Sequence, residues 1–238
     1  MIGTGTIINC ALVLLGGVLG FLFGKKLKPS YQEIMTRACG LSTIFIGASG
    51  ALKQMFTIVD GALSTGGEML LVISLCIGGL LGEIIGIEAG IERFGAWLRQ
   101  KSNSERDPHF IEGFTSASFT LCIGAMAIIG PMNDAIYHEY SILITKGILD
   151  CIIVMALTSS LGKGAVFSVI PLAIWQGLMT ILAQLIAPMM TAGALANLSM
   201  VGNVLITCVG LNLAFPVRIK VANYLPSLLI AVGWAFFA

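Results

Sequence analysis

Eight long apolar runs alternate with short polar breaks, at about 5–24, 36–53, 69–90, 113–131, 141–161, 164–186, 195–215 and 221–237. A helix of roughly 20 apolar residues crosses about 30 Å of hydrocarbon, so each run reads as one transmembrane helix. The break at Pro216 to Asn223 is short and only moderately polar, which keeps open seven helices with a re-entrant segment. Segment 91–112 is the one long polar stretch. Within it Ile91, Phe94, Trp97 and Leu98 recur at helical spacing beside Glu92, Arg93, Arg99 and Lys101. That pattern predicts an amphipathic helix lying at the membrane interface, followed by a loop from Ser102 to Pro108. The chain therefore divides into a first transmembrane half of three helices (1–90), an amphipathic connector (91–112) and a second half of about five helices (113–238).

Charge orients these helices. Lys25, Lys26, Lys28 and Arg37 follow the first run, Arg93, Arg99, Lys101 and Arg106 the third, Lys163 the fifth, and Arg218 and Lys220 the seventh. Of the thirteen basic residues only Lys53 and Lys146 break the alternation. Cytoplasmic loops carry the excess of Lys and Arg, so both termini are expected outside and the connector inside. The first basic cluster comes after the first apolar run, an order that does not suit a cleaved signal peptide. An odd number of helices in the first half would give two repeated halves opposite topology. Thr36-Arg37 and Thr145-Lys146 open corresponding helices, and Gly79-Leu80-Leu81 matches Gly177-Leu178-Met179. An inverted repeat is the expectation these short similarities support.

Composition agrees with a polytopic, all-α membrane protein. Of the 238 residues 57% are hydrophobic and 11% charged, and the mean hydropathy is +0.96, outside the range of ordinary soluble domains. The lipid bilayer is thus the first partner. A net charge of +1 with no basic patch beyond the topological one gives no reason to expect nucleic acid. Cys10, Cys39, Cys76, Cys122, Cys151 and Cys208 lie in or beside apolar runs without metal-ligand or redox spacing, so neither a disulfide framework nor a metal site is expected. No nucleophile–base set, H-E-x-x-H or phosphate loop is present, and neither an enzyme nor a cofactor is expected. Among the 29 glycines two series recur with a period of four: Gly16, Gly20 and Gly24 in the first helix, and Gly78, Gly82, Gly86 and Gly90 in the third. Such ribbons let backbones approach closely, either as packing within one subunit or as a moving or subunit interface.

Candidate chemistry rests on polar side chains inside apolar runs. Asp150 lies nine residues into the fifth helix, about 14 Å along it. An acid at that depth is expensive and should face a partner or a wet cavity. Lys146, four residues earlier on the same face, offers a structural ion pair as the alternative. Gln176 and Asn203 reach similar depth from opposite ends of the sixth and seventh helices, and the three form a possible midplane site for a cation or a polar solute. Glu83 is a second acid in an apolar stretch, nearer the cytoplasmic end. Asn133 and Asp134 follow Gly130-Pro131 and read as turn or capping residues, although a vestibule acid would look the same. His109 and His138 fall in loops.

Several strings are shared with a known group. Gly3-Thr4-Gly5-Thr6-Ile7-Ile8-Asn9 with Gly16-Gly17, Cys122-Ile123-Gly124-Ala125-Met126-Ala127-Ile128 and Gly210-Leu211-Asn212-Leu213 resemble the bacterial membrane family of domain of unknown function 554, the YqgA/YdfK-like proteins. Arg218-Ile219-Lys220-Val221-Ala222-Asn223-Tyr224-Leu225-Pro226 is the most specific of these matches, and Lys146-x-x-x-Asp150 falls in the same pattern. Gly130-Pro131-Met132-Asn133-Asp134 is where the chain departs from it. The resemblance implies a multi-spanning bacterial inner-membrane protein. Asn212, just before Phe215-Pro216, and Asn223, just before the last helix, are expected to cap and close that break, or to frame a broken-helix gate. The resulting expectation is a small secondary transporter or ion pathway, with Asp150 at its centre, a small ion or solute as ligand and a homodimer as the assembly. The competing expectation is a non-transporting membrane partner or sensor.

Overall fold

Glycine and proline set most of the boundaries in the computed structural model, which describes residues 2–24, 28–59, 61–105, 107–123 and 126–237. Lys25, Lys26, Arg106 and the Gly124-Ala125 pair lie outside the described residues. Helix α1 spans Thr4–Gly24 and α2 spans Pro29–Met55, with Pro29 at its first turn. A hairpin of β1 (Phe56–Val59) and β2 (Ala62–Thr65) follows, pairing Phe56 with Thr65 and Val59 with Ala62. It is an exposed, two-stranded exception to an all-α expectation.

Helix α3 (Glu68–Ile85) stops at Gly86, whose φ of 73° is left-handed. The run expected to continue to residue 90 is broken there, and α4 (Ile87–Lys101) begins at once. Helix α4 is the amphipathic connector, burying Gly95 and Leu98 against α5 while Trp97 stays exposed. Helices α5 (Phe110–Cys122) and α6 (Met126–Tyr137) are inclined by 55° to one another. Helix α7 runs over Ser141–Leu161, and a 3-10 turn (Lys163–Ser168) leads into α8 (Val169–Ile181). The short α9 (Ala183–Ile186) precedes α10 (Ala192–Ala214), which Thr191 caps by accepting the Ala194 N–H at 3.1 Å. A second 3-10 turn (Val221–Tyr224) enters α11 (Pro226–Trp234).

Among the described residues five helical segments are long and apolar enough to cross a membrane: α1, α3, α7, Lys163–Ile181 and α10. The bent α5–α6 pair would make six. Helix α2 has the length, at 27 residues, but carries more polar side chains. The last run is 3-10 turn plus a nine-residue helix and falls short of a full span.

The two halves interleave: α1 lies along α7, α2 along α10, and α3 along α11. Glycines make these seams possible. A methyl group at Gly16 or Gly20 would strike the carbonyl of Cys151 or Met155 on α7. One at Gly78 or Gly82 would strike the backbone of Ser227 or Asn223. Both ribbons are therefore spent on packing within the chain, while Gly86 serves as a helix stop and Gly90 faces open space. Gly24 closes α1, with its surroundings outside the described set. Beneath these seams a central core joins Phe119, Leu157, Leu161, Leu205, Val209 and Val221.

Candidate functional site

Helix α7 has two faces. Ile148, Leu149 and Ile152 point outward, while Leu143, Lys146, Gly147, Asp150 and Val154 are buried. Lys146 and Asp150 are one turn apart on that inner face, and their ammonium and carboxylate form an ion pair with side chains only 8% and 6% exposed. A charge in such a setting is tolerated when it is paired and hydrogen-bonded.

The surroundings can be built up by layers. Val13, Leu121, Val154 and Leu172 pack together as one apolar cluster from α1, α5, α7 and α8, with Cys10 and Cys122 against it. One helical turn from this cluster, on the same faces, come Asn9 on α1, Asp150 on α7 and Gln176 on α8. Four residues of helix rise about 6 Å, so the three form a single polar layer above the apolar one. Asn9 and Gln176 are fully buried. Asn9 stands beside the Asp150 carboxyl, and the Gly147 backbone is where α7 comes close to it. Among the described residues neither amide atom of Gln176 closes a hydrogen bond. Helix α5 ends at Cys122, beside this layer, so the inclined α5–α6 pair changes direction next to the ion pair.

Towards the Thr4 end of α1 the polar column continues. Asp134 on α6 is fully buried, and its Oδ2 accepts the Gly5 N–H at 2.8 Å. It caps the first turn of α1, where unpaired N–H groups and the helix dipole favour an anion. Its Oδ1 and the Thr6 hydroxyl have no partner among the described residues.

A second polar cluster ties the α3–α4 break to the segment after α10. Asn212 donates to the Ile219 carbonyl at 2.8 Å and accepts the Ile219 N–H at 2.8 Å. Asn223 accepts the Glu88 N–H at 2.8 Å and donates to Glu83 at 2.5 Å. The Glu88 carboxylate accepts the Ala222 N–H at 2.9 Å, and Lys220 donates to Glu83 at 2.7 Å. Arg218 reaches Glu92 at 2.5 Å. Burial holds the Glu88 carboxyl above the usual carboxylate range, against the opposing pull of the Ala222 N–H. A cleft of about 1010 Å³ adjoins this latch, lined by Gly79, Glu83, Arg218, Lys220, Asn223 and Tyr224 among others.

The structure thus sets Asp150 and Gln176 at one level, one turn from a shared apolar cluster, and places the other expected members elsewhere. Asn203 donates to Ser199 on its own helix at 2.7 Å and packs on Gly50, in the α2–α10 seam. Glu83 and Asn212 belong to the latch. Asn9 was not expected at the site, and Asp134 only as a turn, a cap or a vestibule acid. Asn9 sits in the opening string of the chain, and Asp134 read as a turn because it follows a proline. His109 pairs with Glu112 at 3.1 Å, away from either cluster. Among the described residues the cysteines are free, and no group of His, Cys, Asp or Glu is placed to hold a metal ion.

Sequence comparison places the chain among known proteins. The model of the family described as Protein of unknown function (DUF554) matches residues 4–236. The chain is 32% identical to the uncharacterized membrane protein YdfK of Bacillus subtilis over 226 residues, 95% of this chain and 93% of that one. It is 31% identical to the uncharacterized protein YqgA of Escherichia coli over 232 residues, 96% of this chain and 94% of that one. No solved structure matches.

Proposed function

The chain belongs to the DUF554 family, and we propose that it is a small secondary transporter or ion pathway of the bacterial inner membrane. Its binding site is the polar layer of Asn9, Lys146, Asp150 and Gln176, where Asp150 accepts a cation or a proton. One observation carries this reading. Two fully buried amide side chains lie at the level of a buried ion pair; Asn9 faces Asp150, and both polar atoms of Gln176 close no hydrogen bond among the described residues. Unsatisfied buried polar atoms cost about 1–3 kcal/mol each, and purely structural sites rarely leave a whole amide without partners. The inclined α5–α6 pair beside Asp150 supports the same reading, because helices interrupted at membrane depth line ligand paths.

In this reading the protein is multi-pass, with both termini outside and its two halves related by inverted topology. A homodimer would add the walls that so small a bundle lacks. The competing role is a non-transporting membrane sensor in which Lys146 and Asp150 only hold α7 in place. Charge movement in proteoliposomes on a solid-supported membrane separates the two, with wild type and Asp150→Asn compared across ions, pH steps and small solutes. The transporter reading expects a solute- or ion-dependent current that Asp150→Asn removes while the protein stays folded. A current unchanged by that substitution overturns the role given to Asp150.

A further inference from the structure

The ligand's chemistry is written in the unfilled valences of the polar layer. Asn9 and Gln176 each present one carbonyl oxygen and one NH₂ group, all four atoms buried; Asn9 faces the Asp150 carboxylate, and both polar atoms of Gln176 are without a hydrogen bond among the described residues. The layer therefore holds both an open donor and an open acceptor, at Gln176. Its charges are balanced too, since Lys146 and Asp150 cancel. Asp134, one level out, has one carboxylate oxygen held by the Gly5 N–H and the other unpaired.

Three kinds of occupant can be weighed against this inventory. A bare metal cation would use the two amide oxygens and the carboxylate, but would leave both NH₂ groups unpaired and sit beside the Lys146 ammonium. A simple anion would use Lys146 and the NH₂ groups, and leave the amide oxygens and Asp150 unsatisfied. A small solute with an ammonium at one end and a carboxylate at the other meets every group with its complement. Its ammonium faces Asp150, the amide oxygens and the outward Asp134, and its carboxylate faces Lys146 and the NH₂ groups. It adds no net charge to the interior, so the desolvation cost that excludes single ions is largely avoided.

We propose that the Asn9–Lys146–Asp150–Gln176 layer binds a small zwitterion of the amino-acid type, received between Lys146 and Asp150 as their ion pair opens. The proposal rests on the transporter reading for its biological role, although binding itself does not require transport. Asn9 and Gln176 then set specificity. Each discriminates against solutes that lack either the donor or the acceptor, as sites with buried polar groups do.

The test is calorimetric binding and thermal unfolding of the purified full-length protein in nanodiscs. The probes are glycine, alanine, serine and glutamine, set against acetate, methylammonium, sodium and acetamide at equal concentration. At least one zwitterion is expected to bind and raise the unfolding temperature, with acetate and methylammonium at least tenfold weaker. Gln176→Leu, close in volume, is expected to lose tenfold or more in affinity. It is also expected to unfold at a higher temperature than wild type without ligand, because an unsatisfied amide has been removed. A lower unfolding temperature would mean that Gln176 is already satisfied structurally, and would overturn the proposal. So would binding of sodium or of methylammonium alone, or silence across all four zwitterions. Zwitterion binding without any current in proteoliposomes would uphold the ligand class and sink the transporter reading instead. A proton- or sodium-driven current without zwitterion binding would do the reverse.

Discussion

Lys146 donates its ammonium to the Asp150 carboxylate one turn further along α7, and both side chains are more than nine-tenths shielded. Removing one partner leaves the other charge buried and alone, which typically costs about 3–5 kcal/mol. Replacing both with apolar residues of similar volume leaves no orphan. Lys146→Met and Asp150→Leu are therefore each expected to lower the unfolding temperature markedly, and the double variant to recover most of the loss. A double variant as unstable as the worse single one would show that the pair is not what the neighbours are built around. Recovered stability with no recovered current would mark the pair as functional rather than merely structural.

Depth along a helix was legible in the sequence, and direction around it was not. Asp150 and Gln176 stand out as polar interruptions of apolar runs, and counting residues places them at one level. Asn203 has comparable depth, yet α10 is apolar around most of its circumference, so nothing in its pattern reveals that residue 203 turns towards Gly50. Asp134 was hidden by Pro131. A proline near the end of an apolar run reads as a helix stop, whereas α6 continues through it to Tyr137 and carries Asp134 inward. The hairpin did leave a signal: Asp60-Gly61 between two short runs is a two-residue turn sequence. The latch was legible only as separate residues, because Asn223 lies more than a hundred positions from its partners Glu83 and Glu88.

The non-helical stretch after α10 depends on two carboxamides. Asn212 clasps Ile219 by both backbone groups, and Asn223 caps α4 through the Glu88 N–H. Each supplies geometry that alanine cannot. Asn212→Ala and Asn223→Ala are each expected to cost about 1–2 kcal/mol, read as a lower unfolding temperature. Faster hydrogen exchange at Ile219 and Glu88 respectively should accompany the loss. Arg218→Ala, which breaks an exposed pair with Glu92, should change stability by less than about 1 kcal/mol. An Arg218 effect larger than that of Asn212 would refute this ranking.

Glu88 gives the latch a pH dependence. Its carboxyl is held above the ordinary value of 4.5, chiefly by burial. A raised value in the folded state means that the native protein holds this proton more tightly than the unfolded chain does. The contribution to stability is complete below pH 4.5 and is lost as pH rises through the folded value. Glu88→Gln keeps an acceptor for the Ala222 N–H and removes the titration. Unfolding temperatures measured from pH 4 upward should therefore fall less steeply in the variant than in wild type over the weakly acidic range. Parallel curves for the two proteins would remove Glu88 from the account.

Close packing of α1 on α7 predicts a contrast between two glycines. Gly16 faces the Cys151 backbone with no room for a side chain, whereas nothing lies within 4 Å of a methyl group at Gly90. Gly16→Leu should prevent accumulation of folded protein. Gly90→Ala lies inside α4 and gains helix propensity, so it should be neutral or stabilising by up to about 1 kcal/mol. Fluorescence-detected size-exclusion of the two variants would decide. A monodisperse Gly16→Leu protein would show that the α1–α7 seam is looser than its backbone contacts require.

The number of crossings turns on α2, which is long enough to span but carries more polar side chains than the five qualifying segments. Its Lys53 and the exposed hairpin behind it provide the assay. If α1 enters from outside and α2 returns, a cysteine at Ser64 in β2 is external, and one at Ser102 after α4 is cytoplasmic because α3 lies between them. If α2 does not cross, Ser64 is internal and Ser102 external. Both variants would be made with the exposed Cys76 and the other native thiols replaced, and probed in intact cells with a membrane-impermeant maleimide. The distribution of Lys and Arg predicts labelling at Ser64→Cys and protection at Ser102→Cys. The opposite result would remove one crossing and place the latch of Asn212, Asn223 and Glu88 on the outer surface. Labelling at both positions would contradict α3 as a membrane-spanning helix.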